Sequence, residues 1–177
     1  MSDHGVVTET GAIRLERLLP APMERVWDYL TRSDLRAKWL ASGPMELSSG
    51  GSVRLRFRNS ELSPTREETP ERFRKYEDVE MAGRVLQCEP PRLLVHSWGE
   101  DGGGASEVTY ELAPRGDATL LTLTHRRLCT REAMLDVSGG WHTHLAILED
   151  VLAGRPARPF WSTHAAAERD YAERLEG

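Results

Sequence analysis

Three histidines are the residues of this sequence best suited to chemistry. His96 and His125 fall on the inward faces of predicted strands, and His144 falls within the apolar stripe of the longest predicted helix. A neutral imidazole can act as a general base near pH 7 or bind a metal ion, and a set of three would suit zinc. None of the three has metal-ligand spacing to another, and the sequence fixes no acidic residue beside them. We therefore predict ligand contacts or hydrogen-bonded core histidines, with no metal and no cofactor.

No other pattern in the sequence indicates catalysis. The chain has no nucleophile elbow, no glycine-rich phosphate loop and no metalloprotease motif. Cys88 and Cys129 have no histidine placed beside them by sequence, so both are predicted to be structural. We assign no catalytic residue, and the sequence favours binding over catalysis.

The helix that carries His144 is the longest amphipathic segment. From Val137 to Leu152, apolar residues recur at steps of four, four, three and four, which is the period of a helix with one buried face. Gly154 predicts its end, because glycine readily adopts the left-handed conformation that closes a helix. The main helix is predicted over residues 138–154. Gly139-Gly140 would separate it from a shorter helical lead-in.

Most of the chain before this helix alternates between apolar and polar residues, as half-buried strands do. Strands are predicted at residues 12–19, 45–47, 53–58, 79–88, 92–98, 105–112 and 118–125. Two short helices follow the first strand, and the short later connections favour an antiparallel meander. This order predicts an α+β fold in which a curved antiparallel sheet wraps around the long C-terminal helix.

The 177 residues fit a single domain with two extensions. We predict a flexible N-terminal segment at 1–11, the folded domain at 12–154 and a C-terminal extension at 155–177. The extension carries a short helix that would pack on the domain or mediate a homodimer. The charged segment 59–78 is predicted to be either a lid over a pocket or a disordered loop.

The composition narrows the classes of partner. A net charge of −5 argues against binding to nucleic acid or to anionic membranes. No run reaches the roughly 18 apolar residues of a membrane helix, and the polar N-terminus lacks a signal-peptide pattern. Two cysteines form no disulfide framework. The sequence therefore predicts a soluble, cytoplasmic protein.

Four motifs occur in an order and spacing typical of one fold. They are Arg25–Thr31 with Leu35 and Trp39, the Gly50-Gly51 hairpin, Gly83–Leu86 leading to Pro90–Trp98, and Gly140–Gly154 followed by Pro159–Trp161. Together they resemble the helix-grip fold of the START/Bet v allergen-like (SRPBCC) superfamily. More narrowly, they resemble the activator of heat-shock-protein-90 ATPase homologue-like domains.

The resemblance implies an elongated apolar cavity between the helix and the sheet. Members of this superfamily bind lipids or other apolar small molecules, and some relatives are polyketide cyclases or aromatases. We therefore predict that an apolar or aromatic small molecule binds in an internal cavity, although the same inward positions would also suit a filled core. The predicted cavity residues are Trp39, Phe57, Leu94, His96, Trp98, Tyr110, Leu123, His125, Trp141, His144, Leu145 and Leu148.

Two alternative functions stay open. The first is a cyclase-, aromatase- or hydrolase-like enzyme that uses His96, His125 or Tyr110 as acid or base. The second is an interaction module that activates a chaperone ATPase. The namesake co-chaperone has an additional N-terminal domain for which this chain has no room, so a chaperone partner is not expected.

Overall fold

The computed structural model of the chain describes residues 3–99 and 105–175. The first two residues of the predicted N-terminal segment and the last two of the predicted C-terminal extension lie outside these ranges. Within them, seven strands form one antiparallel sheet in the order β1-β2-β7-β6-β5-β4-β3. The strands are β1 (Val6–Glu9), β2 (Ala12–Leu19), β3 (Ser52–Phe57), β4 (Val79–Glu89), β5 (Leu93–Trp98), β6 (Ser106–Arg115) and β7 (Ala118–Arg126). The helices are α1 (Met23–Thr31), α2 (Ser33–Arg36), α3 (Arg131–Leu152) and α4 (Phe160–Arg174).

The predicted α+β helix-grip architecture is confirmed. Strands β2 and β7 pair along most of their length, with Leu15 opposite Leu123 and Ile13 opposite His125. These four side chains are fully buried. Because successive strand residues point to opposite faces, this register directs one continuous apolar face of the sheet towards the core.

Two strand predictions are corrected at the edges of the sheet. Residues 6–9, expected to precede the folded domain, form β1, in which Val7 lies opposite Ile13 of β2. The strand predicted at 45–47 is not formed, and Met45 makes only an isolated bridge to Val53. The turn explains the second difference: a Cβ on Gly51 would lie 2.2 Å from the carbonyl oxygen of Glu46, so the chain reverses too tightly for a longer ladder.

Helix α3 is a single helix of 22 residues, so the predicted interruption at Gly139-Gly140 is wrong. Thr130 caps its N-terminus, and the side chain of this residue accepts a hydrogen bond of 3.0 Å from the N–H of Ala133. Gly139 serves packing, because a Cβ there would lie 3.2 Å from Cγ of Glu168 on α4. Gly139 therefore allows α4 to approach closely without breaking the backbone of α3.

The C-terminal extension packs on the domain through α4. Phe160, Trp161, Ala167 and Tyr171 of this helix are buried. No helix in the described part of the chain has the length and apolar character needed to cross a membrane.

Candidate functional site

A cavity of about 260 Å³ lies where one end of the sheet meets the first half of α3. We call it the central cavity. Its walls come from the ends of β3, β5 and β7, the start of β4, and one face of α3. The lining residues are Leu40, Phe57, Asn59, Tyr76, Val79, Trp98, His125, Asp136, Val137, Gly140, Trp141 and His144.

Five of the predicted cavity residues line this space together. They are Phe57, Trp98, His125, Trp141 and His144. The other seven predicted residues do not line it. Trp39, Leu94, His96, Tyr110, Leu123, Leu145 and Leu148 are instead buried in the packed core. The inward direction of these side chains follows from strand and helix periodicity, but how completely they fill the interior does not.

The lining residues that the sequence analysis missed come from three segments, of which the loop after α2 contributes Leu40. Asn59, Tyr76 and Val79 belong to the charged excursion between β3 and β4 or to its end. That excursion has almost no apolar period, so the sequence left it open whether it forms a lid over a pocket or a disordered loop. Val137 and Gly140 lie at the start of α3, where the apolar stripe already began and could have indicated them.

Aromatic rings form much of the cavity wall. The ring centroid of Trp98 lies 5.1 Å from that of Trp141 and 5.7 Å from that of Phe57, and both pairs are tilted. Such offset pairs are favourable and hold the rings in fixed orientations. Tyr76 lies at the rim, where its side chain is largely exposed. The cavity is therefore a ring-lined space that opens beside Tyr76.

Both ring nitrogens of His125 are occupied. The indole N–H of Trp141 donates to Nδ1 at 2.9 Å, so Nε2 carries the proton and donates to Oγ of Ser106 at 2.6 Å. Burial lowers the pKa of His125 to about 3, and the proximity of His96 contributes to the same direction. His125 is thus a neutral residue that orients Trp141 and has no nitrogen left for a reacting group.

His144 has one nitrogen anchored and one free. Its Nδ1 lies 2.7 Å from the carbonyl oxygen of Trp39, which can only accept, so Nδ1 carries the proton. Burial lowers the pKa of His144 to about 4, which keeps the ring neutral at pH 7. Its Nε2 is therefore an acceptor, and it has no hydrogen-bond partner among residues 3–99 and 105–175.

His96, the third predicted histidine, lies away from the cavity. Its Nδ1 donates to the carbonyl oxygen of Ser97 at 2.9 Å, and its ring stacks on Tyr110 with 5.7 Å between centroids. Burial lowers its pKa to about 4. The described residues contain no group of three His, Cys, Asp or Glu side chains placed to hold a metal ion.

Two further polar side chains line the cavity. The Oδ1 atom of Asn59 is buried and has no hydrogen-bond partner within the described residues. Burial raises the pKa of the Asp136 carboxyl, and the nearby acids Glu168 and Glu132 raise it further. The cavity wall thus includes two acceptors without a partner in the described residues, Oδ1 of Asn59 and Nε2 of His144.

The segment 59–78, predicted to be a lid or a disordered loop, folds as two 3₁₀ turns against α4. Phe73 stacks on Trp161 with 5.1 Å between ring centroids. The carboxylate of Glu67 accepts from the N–H groups of Trp161 at 2.7 Å and Ser162 at 3.1 Å, which otherwise lack partners at a helix start. The C-terminal extension therefore holds this segment in place as one wall of the cavity.

Comparisons with known proteins agree with this architecture. A family model described as Activator of Hsp90 ATPase homolog 1-like protein matches residues 20–153. The structure is similar to the solution structure of a protein from Bordetella parapertussis, with a TM-score of 0.82 and 45% identity over 98% of this chain and 91% of that one. A comparison with curated protein sequences found no match.

Two more distant structures share the fold alone. CalU16 from Micromonospora echinospora has a TM-score of 0.70 and 24% identity over 98% of this chain and 96% of its own. DynU16, described as a protein in the dynemicin biosynthetic locus, has a TM-score of 0.63 and 22% identity over 84% of this chain and 49% of its own.

Proposed function

The chain belongs to the Activator of Hsp90 ATPase homolog 1-like family, and from this premise we propose that it binds an apolar or aromatic small molecule in the central cavity. The observation that carries the proposal is a concave space of about 260 Å³ between the sheet and α3, walled largely by aromatic rings and open beside Tyr76. Small-molecule sites are usually built this way, as apolar concavities with a few fixed polar groups.

The size of the cavity limits the ligand. An engineered apolar cavity of about 150 Å³ in another protein takes up benzene. A space of about 260 Å³ accordingly suits a molecule of one or two rings. Tilted rings such as Trp98 and Trp141 offer faces and edges against which a flat ligand can pack. An aromatic ligand therefore uses both the volume and the shape of the walls.

The two histidines of the wall support an uncharged ligand. Burial lowers the pKa of both His125 and His144, so each is neutral at pH 7. In the described part of the chain, no Lys or Arg side chain lines the central cavity. A ligand bound there gains free energy chiefly by removing apolar surface from water.

The enzymatic alternative receives less support from the site. His96 and Tyr110, two of its three proposed acid–base groups, do not line the cavity. His125, the third, has both ring nitrogens engaged in hydrogen bonds. We therefore prefer binding without catalysis. The chaperone alternative stays a prediction, and ATPase assays of the chaperone with this protein in excess would test it.

Substitutions of Gly140 test whether a ligand binds in the central cavity. This residue lines the cavity, and a Cβ built on it meets no heavy atom within 4 Å, so a larger side chain would extend into open space. We expect equilibrium dialysis to show that the wild-type protein and Gly140→Ala each take up one equivalent of naphthalene. Gly140→Leu should abolish the uptake while the protein remains folded by circular dichroism.

Two results would overturn this proposal. One is the absence of naphthalene uptake by the wild-type protein, together with no bound molecule in native mass spectra of freshly purified material. The other is undiminished uptake by Gly140→Leu, because a molecule that binds there would then lie outside the central cavity.

A further inference from the structure

We propose that the ligand is an uncharged aromatic molecule bearing a hydroxyl group, and that this hydroxyl donates a hydrogen bond to Nε2 of His144. The inference rests on the proposed function and adds the chemical class of the ligand. It starts from a single atom, Nε2 of His144: the residue lines the cavity, and its other ring nitrogen, Nδ1, is already bonded to the Trp39 carbonyl.

The fold holds this acceptor in one orientation. The carbonyl of Trp39 fixes the proton of His144 on Nδ1, and the Trp39 residue is itself immobilised. Its ring is fully buried, and its indole N–H donates to the carbonyl oxygen of Tyr29 at 2.8 Å. Ligand binding therefore does not have to select a tautomer or a ring rotamer, because the acceptor is already in place.

The segment that carries Trp39 is anchored as well. The buried guanidinium of Arg36 donates to the carbonyl oxygens of Thr31 at 3.0 Å and Ala41 at 3.1 Å, and also to those of Leu30 and Gly43. These bonds join the end of α1 to the loop after α2. The position of the Trp39 carbonyl, and with it that of His144, follows from this network.

An unpaired acceptor in an apolar cavity selects for a donor. Leaving Nε2 of His144 without a hydrogen bond when the cavity fills with apolar atoms costs free energy, whereas a ligand O–H removes that cost. The ring is neutral at pH 7 because burial lowers its pKa to about 4, so it does not itself offer a second proton. A ligand whose only polar group is a ketone or ether cannot satisfy this atom.

Other polar groups in the wall favour a ligand with a hydroxyl group over a ligand with an N–H group that can only donate. Trp98 and Asn59 both line the cavity, and neither the indole N–H of Trp98 nor the side-chain amide of Asn59 makes a hydrogen bond to any residue that the structure describes. A hydroxyl oxygen accepts while its proton donates, so ring hydroxyls can serve donors and acceptors in one wall.

Carboxylates should be rejected by the same site. Burying an ionised carboxylate without a cationic partner is costly, and the described cavity wall contains no Lys or Arg. The wall instead includes the acid Asp136. Aromatic and fatty acids are therefore poor ligands, although their apolar parts would fit.

The test compares three probes of one shape: 2-naphthol, naphthalene and 2-naphthoate. Each is dialysed at pH 7 against the wild-type protein, His144→Asn and the closed-cavity variant Gly140→Leu. His144→Asn keeps an N–H donor for the Trp39 carbonyl and removes the acceptor at the Nε2 position, because the amide oxygen of the shorter side chain ends closer to the backbone. We expect the affinity ratio of 2-naphthol to naphthalene to fall about tenfold in His144→Asn, and 2-naphthoate to bind about tenfold or more weaker than 2-naphthol.

The outcomes separate this inference from the proposed function. An unchanged ratio in His144→Asn, or 2-naphthoate binding equal to that of 2-naphthol, would refute the hydroxyl inference while naphthalene uptake kept the proposed function intact. Failure of all three probes to bind the wild-type protein would refute both.

An NMR measurement on the wild-type protein tests the same hydrogen bond without relying on the folding of His144→Asn. In histidine-labelled protein, the ¹⁵N resonance of Nε2 of His144 should move to lower frequency with 2-naphthol and stay in place with naphthalene. An identical response to the two probes would contradict the proposed bond.

Discussion

The central cavity and the filled part of the core share the same sheet face, yet one holds open space and the other none. Strand β5 shows the contrast within three residues, because His96 is packed in the core while Trp98, on the same face, lines the cavity. On α3 the change occurs between His144, which lines the cavity, and Leu145, which is fully buried. Gly140 contributes to the opening, because it provides no side chain where one would fit.

The comparison shows that a side chain directed into the protein interior is not for that reason part of a binding site. His96 and His144 have the same chemistry, and burial lowers the pKa of each to about 4. Each donates from Nδ1 to a backbone carbonyl. Of the two, only His144 lines the central cavity, so location and not residue type distinguishes the candidate binding group from a core residue.

The largest expected effect is a loss of stability in acid. His96, His125 and His144 have folded-state pKa values of about 4, about 3 and about 4, all below the usual value near 6.5. Between pH 6.5 and 4 the unfolded chain binds more protons than the folded one, so stability falls as the pH falls. Each group contributes about 1.4 kcal/mol per pH unit in this window. Urea unfolding at pH 7.5, 6 and 5 should show the decline.

Histidine NMR titration sharpens this prediction. If both rings are shielded from water as the structure indicates, His96 and His144 should stay neutral to below pH 5. A pKa near 6.5 for His144 with a low value for His96 would mean that water fills the cavity. The central cavity would then be a solvent-filled cleft, and His144 would titrate as a residue in water does.

The next effect compares core and cavity by truncation. Leu145→Ala should lower the free energy of unfolding by about 2–5 kcal/mol, because it opens a void in filled core. Val137→Ala should cost less than about 1 kcal/mol, since Val137 is only partly buried and already borders open space. Equal losses in urea titrations of the two variants would show that the cavity wall is packed as tightly as the core.

A smaller loss of stability is expected from breaking the contact between segment 59–78 and the C-terminal extension. Glu67→Ala removes the carboxylate that accepts from the first N–H groups of α4, and should cost about 1 kcal/mol. Glu68→Ala is the matched control, because Glu68 is highly exposed and its ion pair is with Arg74, itself an exposed side chain. It should change stability by less than about 0.5 kcal/mol. Faster amide exchange over residues 59–78 in Glu67→Ala, but not in Glu68→Ala, would show that Glu67 holds this segment against α4.

The smallest effect distinguishes the two adjacent glycines of α3. Gly140→Ala should raise the free energy of unfolding by about 0.5–1 kcal/mol, because alanine favours the helix and its Cβ meets no atom. Gly139→Ala should gain less, since its Cβ would lie 3.2 Å from Cγ of Glu168. Thermal unfolding of the two variants checks the order, and a larger gain at Gly139 would contradict the close packing of α4.

The fold was largely predictable because its signals are local. Alternation in residues 12–19 and 118–125 predicted strands with the buried faces that β2 and β7 have. The apolar period after Val137 likewise predicted the core-facing side of α3. The failures lie where local pattern is weak: β1 has only four exposed residues, and its formation depends on the β2 edge beside it.

The residues of the candidate site also differ in whether a local sequence pattern predicts their place. Periodicity directed Phe57, Trp98 and Trp141 inwards, and all three line the cavity. The segment that carries Asn59 and Tyr76 was predicted as either a lid or a disordered loop, so the sequence did not decide whether it forms part of that wall. Their placement depends on contacts between an irregular segment and a helix about 90 residues later, such as the bond from the Trp161 backbone to Glu67.

The sequence by itself determined which side chains face the interior, because helix and strand periods relate neighbouring residues directly. Only the tertiary structure decided where that interior is left open. A cavity is the volume that remains after distant segments have packed, and no local pattern records it. Gly140 illustrates both parts: its place on α3 follows from the sequence, but the empty space in front of it exists only because of Phe57, Trp98 and the wall around Asn59.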